Sequence, residues 1–162
     1  MTDDPMPWDN LEISQPAAQA ALARLDASWH ALLAILDAIP EDNLADPGVS
    51  GDWSIGDLLG HIAFWNRHSL ERGRDVLEGR PFVSVRVEEM NARDIEARQG
   101  RTASENMADM IESHDDMLAF VQAAPTDPAI LVPLLARMGM DTDQHYDEHV
   151  AEIRAWRNAQ RI

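Results

Sequence analysis

The chain has 162 residues, a formal net charge of −16 and no cysteine. Without cysteine there is no disulfide, no thiolate metal site and no cysteine nucleophile, so a metal ion would need ligands from His, Asp or Glu. The excess of 29 Asp and Glu over 13 Lys and Arg repels phosphate backbones and anionic bilayers, which argues against nucleic acid and membranes as partners.

The sequence has the features expected of a soluble cytoplasmic protein. No stretch reaches the roughly 20 consecutive apolar residues of a membrane span, and the start MTDDPMPWDN lacks the basic and apolar regions of a signal peptide. The length is typical of one domain, and we predict a single helical domain over residues 1–162. Residues 1–15 have no apolar period and are expected to form a loosely held N-terminal arm.

Apolar periodicity predicts the first two helices. The first extends from Pro16 to Ile39, because a proline suits the first turn of a helix and another proline ends the pattern. The second begins after Ser54, which with Asp57 resembles a capping box, and runs toward Glu78. The apolar positions that define them are Leu22, Leu25, Trp29, Leu32, Leu33 and Leu36 in the first helix and Leu58, Ile62 and Trp65 in the second.

The third helix is predicted to be broken. Apolar residues follow helical spacing on both sides of Gln99 and Gly100, where a glycine interrupts the pattern. Ser104 is predicted to cap the second piece, which ends at Ala124 and Pro125. This second piece carries an apolar stripe with one histidine: Met107, Met110, Ile111, His114, Leu118 and Val121.

After a connection marked by prolines, a last helix is predicted near the C-terminus. Residues 131–138 are expected to form one helical turn, and Asp141 or Thr142 to cap a helix that runs to about Gln160. Strand-like alternation is confined to FVSVRVE at residues 82–88, which is short and isolated. Long helices joined by loops predict an all-α fold, a four-helix bundle with a broken third helix.

The last predicted helix carries the motif HYDEH at residues 145–149. Because successive residues of an α-helix turn by about 100°, His145 and His149 share a face with Ile153 and Trp156. The burial of an isoleucine and a tryptophan favours directing that face into the bundle. Two imidazoles with Cβ atoms roughly 5–6 Å apart then point inward from adjacent turns and can share one metal ion.

A third imidazole is available on the second predicted helix. His61 lies at the edge of the apolar stripe between Leu58 and Trp65, where its ring could meet the other two across the core. Three imidazoles leave a coordination position open for a water or a substrate atom, as a catalytic metal requires. The residues therefore predict one divalent ion on His61, His145 and His149. The competing interpretation is that each ring is a core histidine bonded to a carbonyl or a carboxylate.

Three segments together resemble the DinB/YfiT-like superfamily of four-helix-bundle metalloproteins. They are GDWSIGDLLGHIAFWN at 51–66, VEEMNARDIEARQGRTASENMADMIESHDDMLAFV at 87–121 and HYDEHVAEIRAWR at 145–157. The resemblance covers roughly residues 17–160 and looks most like the ClbS/DfsB branch. Its most specific elements are the tryptophan and histidine at the start of the second helix and the HxxxHxxxI of the last helix.

This resemblance implies a metal triad formed by a histidine of the second helix and the two of HxxxH, which correspond here to His61, His145 and His149. It implies zinc, nickel or a related ion as cofactor, and a small-molecule substrate. Characterised members of the superfamily include thiol-dependent S-transferases, a maleylpyruvate isomerase and toxin-detoxifying hydrolases. Members commonly dimerise, so the resemblance also implies a homodimer.

Other polar residues allow competing interpretations. HYDEH fits the H-x-x-E-H pattern of inverzincin peptidases with Glu148 as general base, but those enzymes take a third ligand far downstream, and here the chain ends soon after His149. Glu148 therefore fits better at the rim, as a solvated charge or as a partner of a ligand. His114 could be a fourth ligand, a proton carrier or a core histidine. Asp57 could orient His61, bind the ion or complement the dipole of its helix.

The remaining histidines and the tryptophans are assigned mainly to structure. His68 lies about 10 Å along the helix axis from His61, too far to share the ion. His30, at the edge of the first apolar stripe, is interpreted as a boundary residue. Three tryptophans could line a substrate pocket, although tryptophans at helical spacing are more often core residues: Trp53, Trp65 and Trp156.

Two functions from different classes follow from these observations. The first is a metal-dependent enzyme that catalyses hydrolysis, or the transfer of a thiol-type nucleophile to a small electrophilic substrate. Because the chain has no cysteine, the thiol would be an external low-molecular-weight cofactor. The second is a non-catalytic protein that binds a metal or a small ligand, which a fourth protein ligand to the metal would favour. In a third hypothesis the histidines are core residues and the acidic face binds a basic partner.

Overall fold

The computed structural model describes residues 10–162, so that residues 1–9 of the predicted arm lie outside the described residues. Within residues 10–162 the chain is mostly helical, as the predicted all-α class requires, and none of the helices there is long and apolar enough to cross a membrane. The α-helices and strands are α1 (Gln15–Asp37), β1 (Pro47–Ser50), β2 (Trp53–Ser54), α2 (Ile55–Leu77), α3 (Val87–Ala97), α4 (Ala103–Ala123), α5 (Pro128–Gly139) and α6 (Asp143–Gln160). Strands β1 and β2 pair as a small antiparallel hairpin between α1 and α2.

The first two helices begin close to where the sequence predicts. At the start of α1, Ser14 Oγ accepts a hydrogen bond from Ala17 N at 3.2 Å, and Gln15, which was assigned to the arm, already belongs to the helix. At the start of α2, Ser54 Oγ accepts from Asp57 N at 3.1 Å, and the Asp57 carboxylate accepts from Ser54 N at 2.9 Å. This reciprocal pair confirms the predicted capping box and satisfies N–H groups that the helix itself leaves unpaired.

The alternating segment at residues 82–88 forms no strand. Residues 82–86 form an irregular connection, with Phe82 44% and Val83 59% exposed, and residues 87 and 88 already belong to α3. Among the described residues the strands are β1 and β2, which no alternation in the sequence predicted. Positive φ angles of 101° at Gly48 and 60° at Gly51 shape their hairpin, because glycine adopts this conformation without a Cβ clash.

The third helix is broken, but the predicted cap of its second piece is wrong. α3 and α4 are separated by residues 98–102, with Gly100 at a φ of 83°. Thr102, and not Ser104, caps α4: its Oγ1 accepts from Glu105 N at 3.2 Å, while the Glu105 carboxylate accepts from Thr102 N at 2.7 Å. The reciprocal box needs an acid three residues after the cap, and the residue three positions after Ser104 is a methionine.

The connection after α4 contains a longer helix than the single turn predicted at residues 131–138. Helix α5 has 12 residues and is capped by Asp127, whose side chain accepts from Ala129 N at 2.9 Å. Pro128 occupies the first turn, where its missing N–H is harmless. Pro133 lies inside the helix, and its lost hydrogen bond is offset by the burial of apolar neighbours. These neighbours are Leu131, Val132, Leu134, Leu135 and Met138.

The helices pack around a common apolar core. Helix α2 packs against α4 and α5, and helix α1 packs against α6 and α5. Burying each large apolar side chain contributes roughly 1.5–3 kcal/mol to folding. These contacts hold α2 and α6 near one another, and every helix of the core except α3 supplies a fully buried side chain: Leu32, Leu58, Ile62, Met117, Leu134 and Ile153.

Buried hydrogen bonds also join α2, α4 and α6. Tyr146 of α6 is fully buried, and its hydroxyl donates to Asn66 Oδ1 at 2.6 Å and accepts from His114 Nδ1 at 3.2 Å. Asn66 in turn donates to Ser113 Oγ at 3.0 Å. The ring of His114 stacks on Trp29 of α1, with 3.7 Å between the ring centroids and 4° between the planes. Since these buried polar groups satisfy one another, a rotation of α6 would leave several of them unpaired.

The first turn of α6, unlike those of the other long helices, has no side-chain capping bond. Thr142 occupies the N-cap position, one of the two that were predicted, but its hydroxyl donates to Met138 O at 3.0 Å and makes no capping bond to the helix. The side-chain contacts along the helix, and not its first turn, therefore set its orientation.

The stability of the protein should decrease in mildly acidic solution. Burial lowers the pKa of His114 from 6.5 to about 4. The unfolded chain therefore takes up this proton first, and the free energy of unfolding should fall as the pH decreases from about 6.5 to about 4. In His114→Gln, which keeps an amide donor but cannot be protonated, this contribution should disappear. Urea unfolding of the metal-free protein across this pH range measures the difference.

The exposed residue His30 provides the control for this experiment, because its side chain bonds only to its own helix, at Asp26 O. His30→Gln should change the pH dependence less than His114→Gln does. If the free energy of unfolding falls equally with pH in the wild type and in His114→Gln, the prediction of a lowered pKa for His114 is wrong.

The capping of α4 by Thr102 leads to a second prediction. Thr102→Ala should lower the free energy of unfolding by about 1 kcal/mol, because the N–H of Glu105 loses the hydroxyl that accepts its hydrogen bond and the Glu105 carboxylate loses the hydroxyl that donates to it. Ser104→Ala, two residues later in the same first turn, should leave it almost unchanged. Urea denaturation of both variants measures the two effects, and a larger loss from Ser104→Ala would restore the original assignment of the cap.

Candidate metal centre

Three imidazole rings meet between α2 and α6. His61 Nε2 lies 3.0 Å from His145 Nε2, which lies 2.7 Å from His149 Nε2. The ring centroids of His61 and His149 are 5.3 Å apart. The ligand atoms of the three side chains all lie within 4.8 Å of one another, so the group could hold a metal ion. The structure thus brings together the three histidines that the sequence pattern singled out.

Each helix directs its histidines toward this point for a local reason. On α6 the two rings are one turn apart, and His149 is 7% exposed on the same face as the buried Tyr146 and Ile153. His145 lies at the edge of that face and is half-buried. On α2, His61 is 5% exposed in the second turn after the capping box. Tryptophan 53 of the hairpin packs edge-on against it, with 4.8 Å between the ring centroids.

A carboxylate sets the tautomer of His149. Glu152, three residues later on α6, accepts a hydrogen bond from His149 Nδ1 at 2.7 Å. The second oxygen of Glu152 accepts from Ser50 Oγ of β1 at 2.9 Å. With its proton on Nδ1, His149 presents the lone pair of Nε2 to the other two rings, which is the form that ligates a metal.

The three inward nitrogens could all bind one cation, but they cannot all form good hydrogen bonds with one another. A ring nitrogen carries either one proton or one lone pair. If His145 Nε2 donates its proton to His149, no proton is directed at His61; if it accepts one from His61, two lone pairs face each other across 2.7 Å. Either arrangement leaves one close contact without a good hydrogen bond. A single cation would accept all three lone pairs at once, and imidazole nitrogens are common ligands of divalent metals.

Burial keeps these rings neutral. It lowers the pKa of His61 to about 3 and that of His145 to about 2, and the neighbouring His149 adds to both shifts. Burial also lowers the pKa of His149, although Glu152 acts in the opposite direction. Because a metal binds the neutral form of imidazole, no proton has to be displaced from these rings at neutral pH.

A cavity of about 430 Å³ opens onto the three rings. Trp53 and Trp65 form its apolar wall, and Asn91, Asp141 and Glu148 supply polar lining. Trp65 Nε1 donates to Asn91 Oδ1 at 3.0 Å, which directs the amide oxygen of Asn91 to the wall and leaves its N–H groups for a bound molecule. No fourth His, Asp or Glu of the described residues joins the three rings, so the side facing the cavity is open.

The other proposed participants have separate positions. Glu148 lines the cavity and is exposed, and it forms no hydrogen bond or ion pair with the described residues. The Asp57 carboxylate is engaged in the capping box, so it does not orient His61, whose Nδ1 is buried without a partner. Trp156 packs in the core, where its Nε1 donates to Pro47 O at 3.4 Å, and it does not line the cavity.

The remaining histidines lie outside the three-ring group. His114 is bonded to Tyr146 and stacked on Trp29, so the interpretation as a fourth ligand is wrong and the core interpretation holds. His68 lies with its Nδ1 2.8 Å from Asp141 Oδ2. His30 is exposed on α1.

Two contributors were missed in the sequence. Glu152 follows His149 at a helical spacing of three residues, a signal that could have identified it as a partner. Ser50 and the β-hairpin had no such signal, because Ser50 lies 102 residues from Glu152 in the chain.

Comparisons with known proteins agree with this fold. The family model of the DinB superfamily matches residues 24–161. The crystal structure of an uncharacterised protein from Escherichia coli UTI89 superposes with a TM-score of 0.75 at 14% sequence identity, covering 90% of this chain and 95% of that one; at this identity the likeness concerns the fold alone. No curated protein matches the sequence. Because the family match spans most of the chain and includes all three histidines, the chain belongs to the DinB superfamily.

Proposed function

We propose that the protein is a metal-dependent enzyme whose divalent ion is held by His61, His145 and His149. The convergence of three imidazole Nε2 atoms beside an open cavity supports this proposal. An ion bound there would lower the pKa of a water molecule or polarise an electrophilic substrate. A closed site with a fourth protein ligand would have favoured a structural metal, and the described residues supply none.

The side chains around the rings would position the metal ligands and the substrate. Glu152 holds the Nδ1 proton of His149, which keeps the Nε2 lone pair directed inward. Trp53 and Trp65 would contact the apolar part of a small substrate and exclude water from that side. The N–H groups of Asn91 can donate to a carbonyl or similar oxygen of the substrate.

The reaction we propose is hydrolysis of a small electrophile, or transfer of a thiol to it. The chain has no cysteine, so the thiol would be an external low-molecular-weight molecule. Imidazole ligands suit zinc and nickel, and we propose one of these ions. The same proposal includes a single soluble cytoplasmic domain of the ClbS/DfsB-like branch, a four-helix bundle of α1, α2, α4 and α6, and a homodimer.

Metal content tests the proposed site. The protein, purified without chelators or a histidine tag, should contain a divalent ion by elemental analysis, and His145→Ala should contain much less, because two imidazoles rarely hold such an ion. Added zinc or nickel should raise the melting temperature of the metal-free wild type by mass action but not that of His145→Ala. The metal-loaded wild type should also hydrolyse an activated ester, or catalyse displacement of the halide from an activated aryl halide by a thiol with release of halide and a proton, and His145→Ala should lose this activity.

The exposed residue His30 is the matched control: His30→Ala should keep the metal, the thermal shift and the activity. Equal metal content in wild type and His145→Ala would remove the site. Metal binding that depends on His145 without either activity would instead indicate a non-catalytic metal-binding protein.

Glu152 should contribute to metal affinity without touching the metal. Glu152→Gln removes the charge that holds the proton on His149 Nδ1, and the dissociation constant for zinc should rise by about tenfold or more. Glu148→Gln is the control, because it removes a carboxylate charge from the lining of the cavity at a residue that bonds to no histidine among the described residues. Competition with a chromogenic chelator measures both constants. Equal effects of the two substitutions would mean that Glu152 acts only through its charge.

A further inference from the structure

A second cavity lies apart from the metal centre. It has a volume of about 570 Å³ and is bounded by α1, α4 and the start of α5. None of the residues that line it also lines the cavity at the three rings. The proposed reaction makes no use of it, and its volume is within the range of about 300–1,000 Å³ that is typical of small-molecule sites.

The interior of this cavity is mostly apolar, and two aromatic rings form one wall. Leu22, Leu25 and Leu118 supply aliphatic lining, and the stacked rings of Trp29 and His114 form one side. Stacked aromatic rings offer a large, rigid apolar contact surface. The cavity is therefore suited to a molecule with a hydrophobic, preferably planar, body.

His114 adds a fixed hydrogen-bond acceptor to this wall. The side chain is 3% exposed. Its Nδ1 proton is donated to the Tyr146 hydroxyl, which donates its own proton to Asn66. The neutral ring must therefore carry a lone pair on Nε2, and no described residue donates to that atom. Burial lowers the pKa of His114 to about 4, so this nitrogen accepts a proton donor without becoming charged at neutral pH.

The charged groups at the cavity are acidic. Asp26 and Asp115 line it, and both lie close enough to His114 to act on its pKa. Asp26 pairs with His30 on the surface of α1, whereas Asp115 has no ion pair among the described residues. No lysine or arginine belongs to the described lining. A cationic group is therefore favoured at this end of the cavity and a carboxylate is disfavoured.

We propose that this second cavity binds a small hydrophobic amine, with its apolar body against Trp29 and the leucines and its N–H group donated to His114 Nε2 beside Asp115 and Asp26. An acceptor nitrogen and two carboxylates complement an ammonium group. A neutral alcohol could donate its O–H to His114 Nε2 but has no positive charge to pair with the two carboxylates. A carboxylate would face the lone pair and both negative charges.

Three probes with the same ring system separate these possibilities: tryptamine, tryptophol and indole-3-propionate. Isothermal titration of the full-length protein should give the highest affinity for tryptamine, a lower one for tryptophol and the lowest for indole-3-propionate. Leu118→Trp, which puts a bulkier side chain into the cavity beside Trp29, should weaken binding of tryptamine. Equal affinity for tryptamine and indole-3-propionate, or no measurable binding of tryptamine, would overturn the proposal.

A substitution at the rim tests the charge without disturbing the core. Asp115→Asn should weaken tryptamine binding by about two- to fivefold, the size of one solvent-accessible ion pair, and leave tryptophol binding unchanged. Asp116→Asn, the next residue, makes the same charge change outside this cavity and should have little effect. Equal effects of the two substitutions would contradict a local role of Asp115.

The two sites can be tested separately. Tryptamine should bind equally well to wild type and to His145→Ala, and equally well with or without a chelator, because no residue of the three-ring group lines the second cavity. Binding that His145→Ala abolishes and Leu118→Trp leaves intact would place the probe at the metal centre and overturn this proposal, whatever the outcome for the proposed enzyme.

Discussion

The rotational setting of α6 decides whether His145 and His149 meet His61. Tyr146 sets it, because its fully buried hydroxyl is bonded to Asn66 of α2 and to His114 of α4. Tyr146 directly follows His145, and His149 comes one turn later. A rotation of the helix that released the hydroxyl would bury unpaired polar groups and turn both rings away from His61. The hydrogen bonds among these three side chains, one on each of three helices, thus orient the rings of His145 and His149 on α6.

The same buried network separates two sites of different chemistry. On one side, the rings of α2 and α6 present three neutral lone pairs to a common point. On the other, His114 uses its Nδ1 proton within the network, and its side chain lines an apolar cavity with an acidic rim. In both places desolvation keeps imidazole uncharged at neutral pH. Burial is the largest cause of these lowered pKa values, while hydrogen-bond partners such as Glu152 and Tyr146 set which nitrogen carries the proton.

Much of the fold could be predicted because its signals are local. The capping box of Ser54 and Asp57, the break near Gly100 and the apolar spacing of α1 depend on residues within a few positions of one another. The cap of α4 and the length of α5, which the prediction got wrong, also have local signals. These are the acid three residues after Thr102 and the Asp-Pro sequence at the start of α5. The hairpin escaped prediction because its short strands have too few residues to show alternation.

The sequence by itself determined that any metal ligands must be oxygen or imidazole donors, and helical periodicity placed two histidines one turn apart on a buried face. Only the tertiary structure decided that His61 meets them, that Glu152 and Ser50 support His149, and that His114 lies in the core apart from the three rings. Spacing along one helix follows from its own geometry. The distance between side chains on different helices depends on packing of the whole core, which no local pattern encodes.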